Sequence, residues 1–198
     1  MMSPSKHEIT RADIIGIDAY GRMRGERRRA IAAIKRDRRL EVGPVATFYF
    51  ESYDTMWHQV HEMLYIEKGG DAQIEDELRA YNPLIPKGRD LVATVMFEID
   101  DPVRRQRVLE TLGGIDHTAI LTVDGDTIRG SSVSEVERTT AAGKASSVHF
   151  IRFTLSDAQV AKFRRPGAQV MVGFTHPNYG HMAVLPEAVR AALVGDLD

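Results

Sequence analysis

Hydrophobic and polar positions are organised differently in the two halves of the chain. In the first half the apolar residues recur at helical spacing. "TRADIIGIDAY" opens with Thr10 as an N-cap and Asp13 three residues on, and predicts a short helix. "GERRRAIAAIKRDRRL" predicts a longer one, with Ala30, Ile31 and Ile34 as a thin apolar stripe under an arginine coat. "PVATFYFES" has the β-branched and aromatic content of a strand. "DTMWHQVHEMLYIEKGG" starts a helix at Asp54 or Thr55, repeats apolar residues at Trp57, Val60 and Leu64, and stops at Gly69 and Gly70. "DAQIEDELRAYNPLIP" restarts a helix that Pro83 ends by pushing Asn82 out of the helical region, so the two segments predict a helical hairpin.

The second half alternates with the period of strands. "LVATVMFEID", "TAILTVDG", "DTIRGSSV", "SVHFIRFTL", "AQVMVGFTH" and "HMAVL" predict strands, and "PVRRQRVLETL", "SDAQVAKFR" and "PEAVRAALV" predict helices between them. "VDGDT" is a two-residue hairpin signal, because Asp-Gly supplies the positive backbone angles such a turn needs. Strands joined by tight turns imply an α+β fold: a mainly antiparallel sheet with helices packed on one face, preceded by an N-terminal helical segment. A single domain over 1–198 is expected, with the helical segment at 10–40 and the α+β core at 45–198.

Composition narrows the chemistry. The chain contains no cysteine, which excludes disulfides, thiol nucleophiles, thiolate-held zinc and a self-ligated iron–sulfur cluster. Any metal must sit on His, Asp or Glu. The first twenty residues carry acids and lack a signal-like apolar run, and no later stretch approaches a membrane span, so a cytoplasmic protein without membrane contact is expected. The net charge of -2 conceals an asymmetry: nine Lys or Arg against two acids lie between Arg22 and Arg39. No interleaved aromatics or phosphate-cradling glycine loop accompany these arginines, so nucleic acid is not the expected partner. A docking surface for an acidic protein, centred on Arg27, Arg28 and Arg29, is the fitting alternative to a merely solvated face.

Three histidine settings stand out. In "THPNYGH", Pro177 favours an extended His176, and Gly180 can close a four-residue loop, which makes His176 and His181 a cross-strand pair. Opposed residues have Cβ atoms about 4.5 to 5.5 Å apart, compatible with nitrogens about 2.1 Å from a shared ion. Capping of the strand ends or bonding to backbone carbonyls is equally compatible. In "WHQVHEM", His58, His61 and Glu62 share one side of a helix, either as a site or as its polar face. In "SVHFIRF", His149 alternates onto a face with Ile151 and Phe153, either as a hydrogen-bonded core residue or as a ligand or proton carrier. Neither a nucleophile elbow nor a dinucleotide fingerprint is present.

"ITRADI", "EML" with Glu67 after it, "ELRAYNPLIP", "VHFIRF" and "HPNYGH" occur in an order that resembles an uncharacterised bacterial family, domain of unknown function 3501, from Thr10 to Leu197. The positions carried over are Glu62, Glu67, Tyr81, Asn82, His149, His176, Tyr179 and His181; His58 and His61 depart from the family pattern. The resemblance implies a role near rubrerythrin-like proteins and iron–sulfur oxidoreductases, in electron transfer or oxidative stress, with any cluster held by the partner. It also rearranges the candidates: His149, His176 and His181, with Glu62 or Glu67, become the expected ligands of one divalent metal ion, iron, manganese or zinc. Tyr179, Tyr81 and Asn82 would then line its pocket. A docking protein with purely structural histidines is the alternative, and a metal-free acid–base pair of His149 with Glu62 is a third.

Overall fold

The computed structural model describes residues 6–133, 139–140 and 143–198; residues 1–5, 134–138 and 141–142 of the expected domain lie outside the described residues. The helices are α1 (Ile17–Arg36), α2 (Tyr53–Glu67), α3 (Asp71–Tyr81), α4 (Pro102–Glu110), α5 (Asp157–Arg164) and α6 (Glu187–Val194). The strands are β1 (Arg39–Val42), β2 (Ala46–Phe50), β3 (Asp90–Phe97), β4 (Ala119–Val123), β5 (Asp126–Ser132), β6 (Val148–Thr154), β7 (Val170–His176) and β8 (Tyr179–Val184). The eight strands form one antiparallel sheet in the order β1-β2-β3-β6-β5-β4-β7-β8, with helices packed on it and α1 preceding it. This is the α+β architecture read from the alternation.

The sheet curls until one face meets itself. Phe48 of β2 and Phe174 of β7 have β3, β6, β5 and β4 between them in the sheet, yet their rings are 5.3 Å apart. The two ends of the sheet are joined through Tyr179 of β8. Its hydroxyl donates to the Val42 carbonyl at 2.8 Å and accepts from the N–H groups of Val45 at 3.1 Å and Ala46 at 2.9 Å. Leu109 of α4, Val160 and Phe163 of α5, and Val189 and Leu193 of α6 join the core inside the curl. The outer face of β3 and β6 carries Val92 and Phe150, and α2 and α3 cover it with Met56, Val60, Leu64, Ile74 and Leu78. Helices therefore serve both faces, not one. The cause lies in β3, where Leu91, Ala93 and Val95 are buried inside while Val92 is buried outside.

Local signals explain most boundaries. Ser52 caps α2 in a reciprocal box with Thr55, which sets its start ahead of the expected Asp54. Lys68 takes the left-handed conformation that ends α2 before Gly69 and Gly70. Asp124 and Gly125 both have positive φ and join β4 to β5, as the Asp-Gly signal requires. The N-terminal segment departs from expectation: only a 3₁₀ turn forms at Arg11–Asp13, and one continuous α1 runs through both Gly21 and Gly25. Arg39 and Leu40, read as the end of that helix, instead open the charged first strand of the sheet, Arg39–Val42. Among the described residues, no helix is long and apolar enough to cross a membrane.

Candidate docking surface

Of the twenty residues of α1, only Tyr20 and Ile31 are buried. Tyr20, Arg24, Arg27 and Ile31 follow each other at intervals of four, three and four residues, which places them on one stripe of the helix. That stripe lies along α2. The Tyr20 hydroxyl donates to Glu62 Oε1 at 2.7 Å and accepts from His58 Nδ1 at 3.1 Å. Arg24 grips the same carboxylate with both prongs, Nε to Oε1 at 2.9 Å and Nη2 to Oε2 at 2.8 Å, with its guanidinium 4.7 Å from the Tyr65 ring centre. Arg27 lies 4.9 Å from the centre of the Trp57 ring. Gly21 permits the close approach, because a Cβ there would stand 3.1 Å from the Tyr65 ring.

The preceding segment is tied to the same helix. His61 Nε2 accepts from the Ile15 N–H at 3.1 Å, and its Nδ1 donates to the Trp57 carbonyl at 2.7 Å. Trp57 Nε1 in turn donates to the Asp13 carbonyl at 2.9 Å. The Arg24 guanidinium holds the Glu62 carboxyl down at about 2, while burial lowers the pKa of both His58 and His61. At neutral pH the cluster is thus an anion and a cation among neutral rings. The residues of "WHQVHEM" act as the seam between α1 and α2.

The opposite side of α1 faces solvent. Arg22, Arg29 and Arg36 recur every seven residues, two helical turns, and are exposed; Arg28 and Lys35 are exposed beside them. Arg36 pairs with Asp37 at 3.2 Å, whereas Arg22, Arg28 and Arg29 make no ion pair among the described residues. Two acids of α1, Asp18 and Glu26, are exposed as well. Of the expected partner-binding trio, Arg27 turns to Trp57 while Arg28 and Arg29 remain outward. Arg22 and Arg36 were missing from that trio, although their spacing from Arg29 was available in the sequence.

The expected metal ligands do not come together. His149 is buried in β6, donates from Nε2 to the Ser146 carbonyl at 2.9 Å and stands edge-on to Phe97. His176 Nδ1 accepts from the Asn178 N–H at 3.2 Å, so its Nε2 carries the proton given to the Gly113 carbonyl at 3.2 Å. Both nitrogens of His176 are thereby used. The β7–β8 turn holds only Pro177 and Asn178, so His176 opposes Tyr179 and His181 opposes Phe174, not His176. Exposed His181 packs its ring 4.6 Å from that of Tyr179. Glu62 belongs to the α1–α2 seam, and Glu67 accepts from Gln73 Nε2 at 2.7 Å at the exposed end of α2.

Among the described residues, no group of three or more His, Asp or Glu side chains is placed to hold a metal. The strands carry the histidines into the curl and its hairpin end, while α2 carries the glutamates outside the sheet. The same separation parts His149 from Glu62 as an acid–base pair. Nor do the expected pocket residues share a pocket. Tyr179 closes the sheet, whereas Asn82 clamps Ile9, accepting from its N–H at 2.8 Å and donating to its carbonyl at 2.9 Å. Tyr81 accepts a long 3.5 Å contact from Gln59 Nε2 under α2.

The profile of the family described as "Protein of unknown function (DUF3501)" matches residues 8–197. The chain is similar to a crystal structure described as a novel protein of unknown function from Burkholderia pseudomallei K96243. The two are 37% identical with a TM-score of 0.88, over 96% of this chain and 99% of that one. No curated protein matches significantly.

Proposed function

We propose that this chain, which belongs to the DUF3501 family, is a docking protein that engages an acidic protein surface through the outer stripe of α1. One observation carries the reading: Arg22 and Arg29 stand outward, without ion pairs among the described residues, on a helix whose inner stripe is already clamped to α2. A helix held in advance presents its arginines without the loss of backbone entropy that ordering the segment on contact would cost. A single exposed ion pair contributes only about 0.2 to 1 kcal/mol. A row of them nevertheless steers encounter and sets register with a partner of opposite charge. The iron–sulfur oxidoreductases and rubrerythrin-like proteins implied by the family resemblance are the first partners to test.

The test is pairwise binding of the purified chain to such a protein from the same genome, with Arg22, Arg29 and Arg36 reversed to Glu. Reversal of Arg104 and Arg107 on α4 is the control. Loss of binding in the first variant and retention in the second supports the reading. Equal binding by both variants refutes it, and binding to duplex nucleic acid that the first reversal removes would replace the protein partner with a polyanion.

A further inference from the structure

A second feature lies between α2 and the outer face of the sheet. Between the outer face of β2, β3 and β6 and the helices above it is a cavity of about 420 Å³. Glu51, just after β2, forms part of its floor and is only 7% exposed. Thr55 Oγ1 donates to Glu51 Oε2 at 2.7 Å, and Thr94 Oγ1 donates to Oε1 at 2.6 Å. These hydroxyls fix the plane of the carboxylate but bring no positive charge. A carboxylate has about four acceptor positions, so roughly half remain unused by the two threonines.

The walls above Glu51 are apolar: Met56, Leu84, Met96 and Phe150. Among the described residues, Glu51 makes no ion pair; Lys35 also lines the cavity, but from an exposed position on α1. A carboxylate enclosed by apolar walls is costly unless a cation or further donors complete it. The combination of a small cavity, apolar walls and one anchored anion is that of a binding site for a molecule of complementary charge.

We propose that this cavity binds a small organic cation, a protonated amine on an apolar body, with the ammonium against Glu51 and the body between Met96 and Phe150. Gln59 and Tyr81, both on the lining, supply neutral polar contacts at the side. This gives Tyr81 a pocket role different from the one expected beside the histidines.

The test uses phenethylamine as the probe, with 2-phenylethanol and 3-phenylpropionate as neutral and anionic molecules of matched size, in amide chemical-shift titrations of the full chain. Phenethylamine is expected to give saturable shifts at Thr94, Met96 and Phe150, at least about tenfold tighter than either comparison molecule, and Glu51→Gln is expected to weaken it by a similar factor. Absence of saturable shifts, undiminished binding by Glu51→Gln, or preference for 3-phenylpropionate would each overturn the assignment. Should Glu51→Gln fail to fold, Lys35→Met decides: removing a like charge from the mouth must tighten phenethylamine binding, and unchanged or weaker binding overturns the proposal.

Discussion

Replacing Glu62 by Gln keeps the shape of the side chain and removes its charge from the α1–α2 seam. In the folded protein the carboxyl pKa is lowered from 4.5 to about 2, chiefly by the hydrogen bonds from Arg24. Taken at face value, that difference is about 3 kcal/mol of stability at neutral pH. Solvent reaches the pair, with 28% of the Arg24 side chain and 14% of the Glu62 side chain exposed, so screening reduces the contribution to about 1 to 2 kcal/mol. The folded pKa is depressed, so this stability is present above 4.5 and is lost as pH falls through about 2. Urea unfolding of wild type and Glu62→Gln should therefore differ by about 1 to 2 kcal/mol at pH 7, and by roughly two-fifths of that at pH 3. Equal stabilities at pH 7, or a difference that does not shrink on acidification, would show that Arg24 and Tyr20 do not hold α1 through this carboxylate.

Three further outcomes test other parts of the structure. Burial raises the Asp196 pKa to about 6 despite its ion pair with Arg38. Its favourable contribution is present below 3.8 and is lost as pH rises through about 6, so Asp196→Asn should gain on wild type by about 1 to 3 kcal/mol across that interval; a flat difference in urea unfolding would contradict this. Gly43 has φ +67°, and a Cβ there would lie 2.6 Å from the His181 ring, so Gly43→Ala should destabilise by about 1 to 3 kcal/mol; an unchanged melting temperature would refute the strain. His176→Ala should cost about 1 to 2 kcal/mol through two lost hydrogen bonds, and exposed His181→Ala less than about 0.5 kcal/mol; comparable losses in thermal unfolding would contradict the unequal roles.

Periodicity exposed the parts of the fold that bury apolar side chains. It found the α2–α3 hairpin, the Asp-Gly turn and the strands of the second half, because their signals are local. It divided α1 because the stripe of that helix facing α2 is mostly tyrosine and arginine, whose partners lie on a helix some forty residues away. It missed β1 because a charged edge strand after an arginine run has no alternation of its own. The curl of the sheet was out of reach, since it depends on contacts such as Phe48 with Phe174 that pairing of neighbours does not imply.

The candidate site was legible to a different extent. Sequence displayed the histidines as nitrogen donors, but not that the turn's own N–H would occupy His176 Nδ1. The hairpin expectation failed by two residues: a turn of Pro177 and Asn178 gives each histidine another cross-strand partner. The basic segment was visible from charge alone. Only the helix phase separates Arg27, spent on Trp57, from Arg22, Arg29 and Arg36 facing out. Glu51 gave no signal, because its two threonines and its apolar walls come from separate elements.

The docking account is tested most directly by the association rate with a purified acidic iron–sulfur or rubrerythrin-like protein, measured between about 50 and 300 mM salt. The account predicts a rate that falls steeply with salt for the native chain. It also predicts a rate about tenfold or more lower at the low-salt end, with a flattened salt dependence, when Arg22, Arg29 and Arg36 are reversed to Glu. Rates and salt dependence unchanged by the reversal would contradict it.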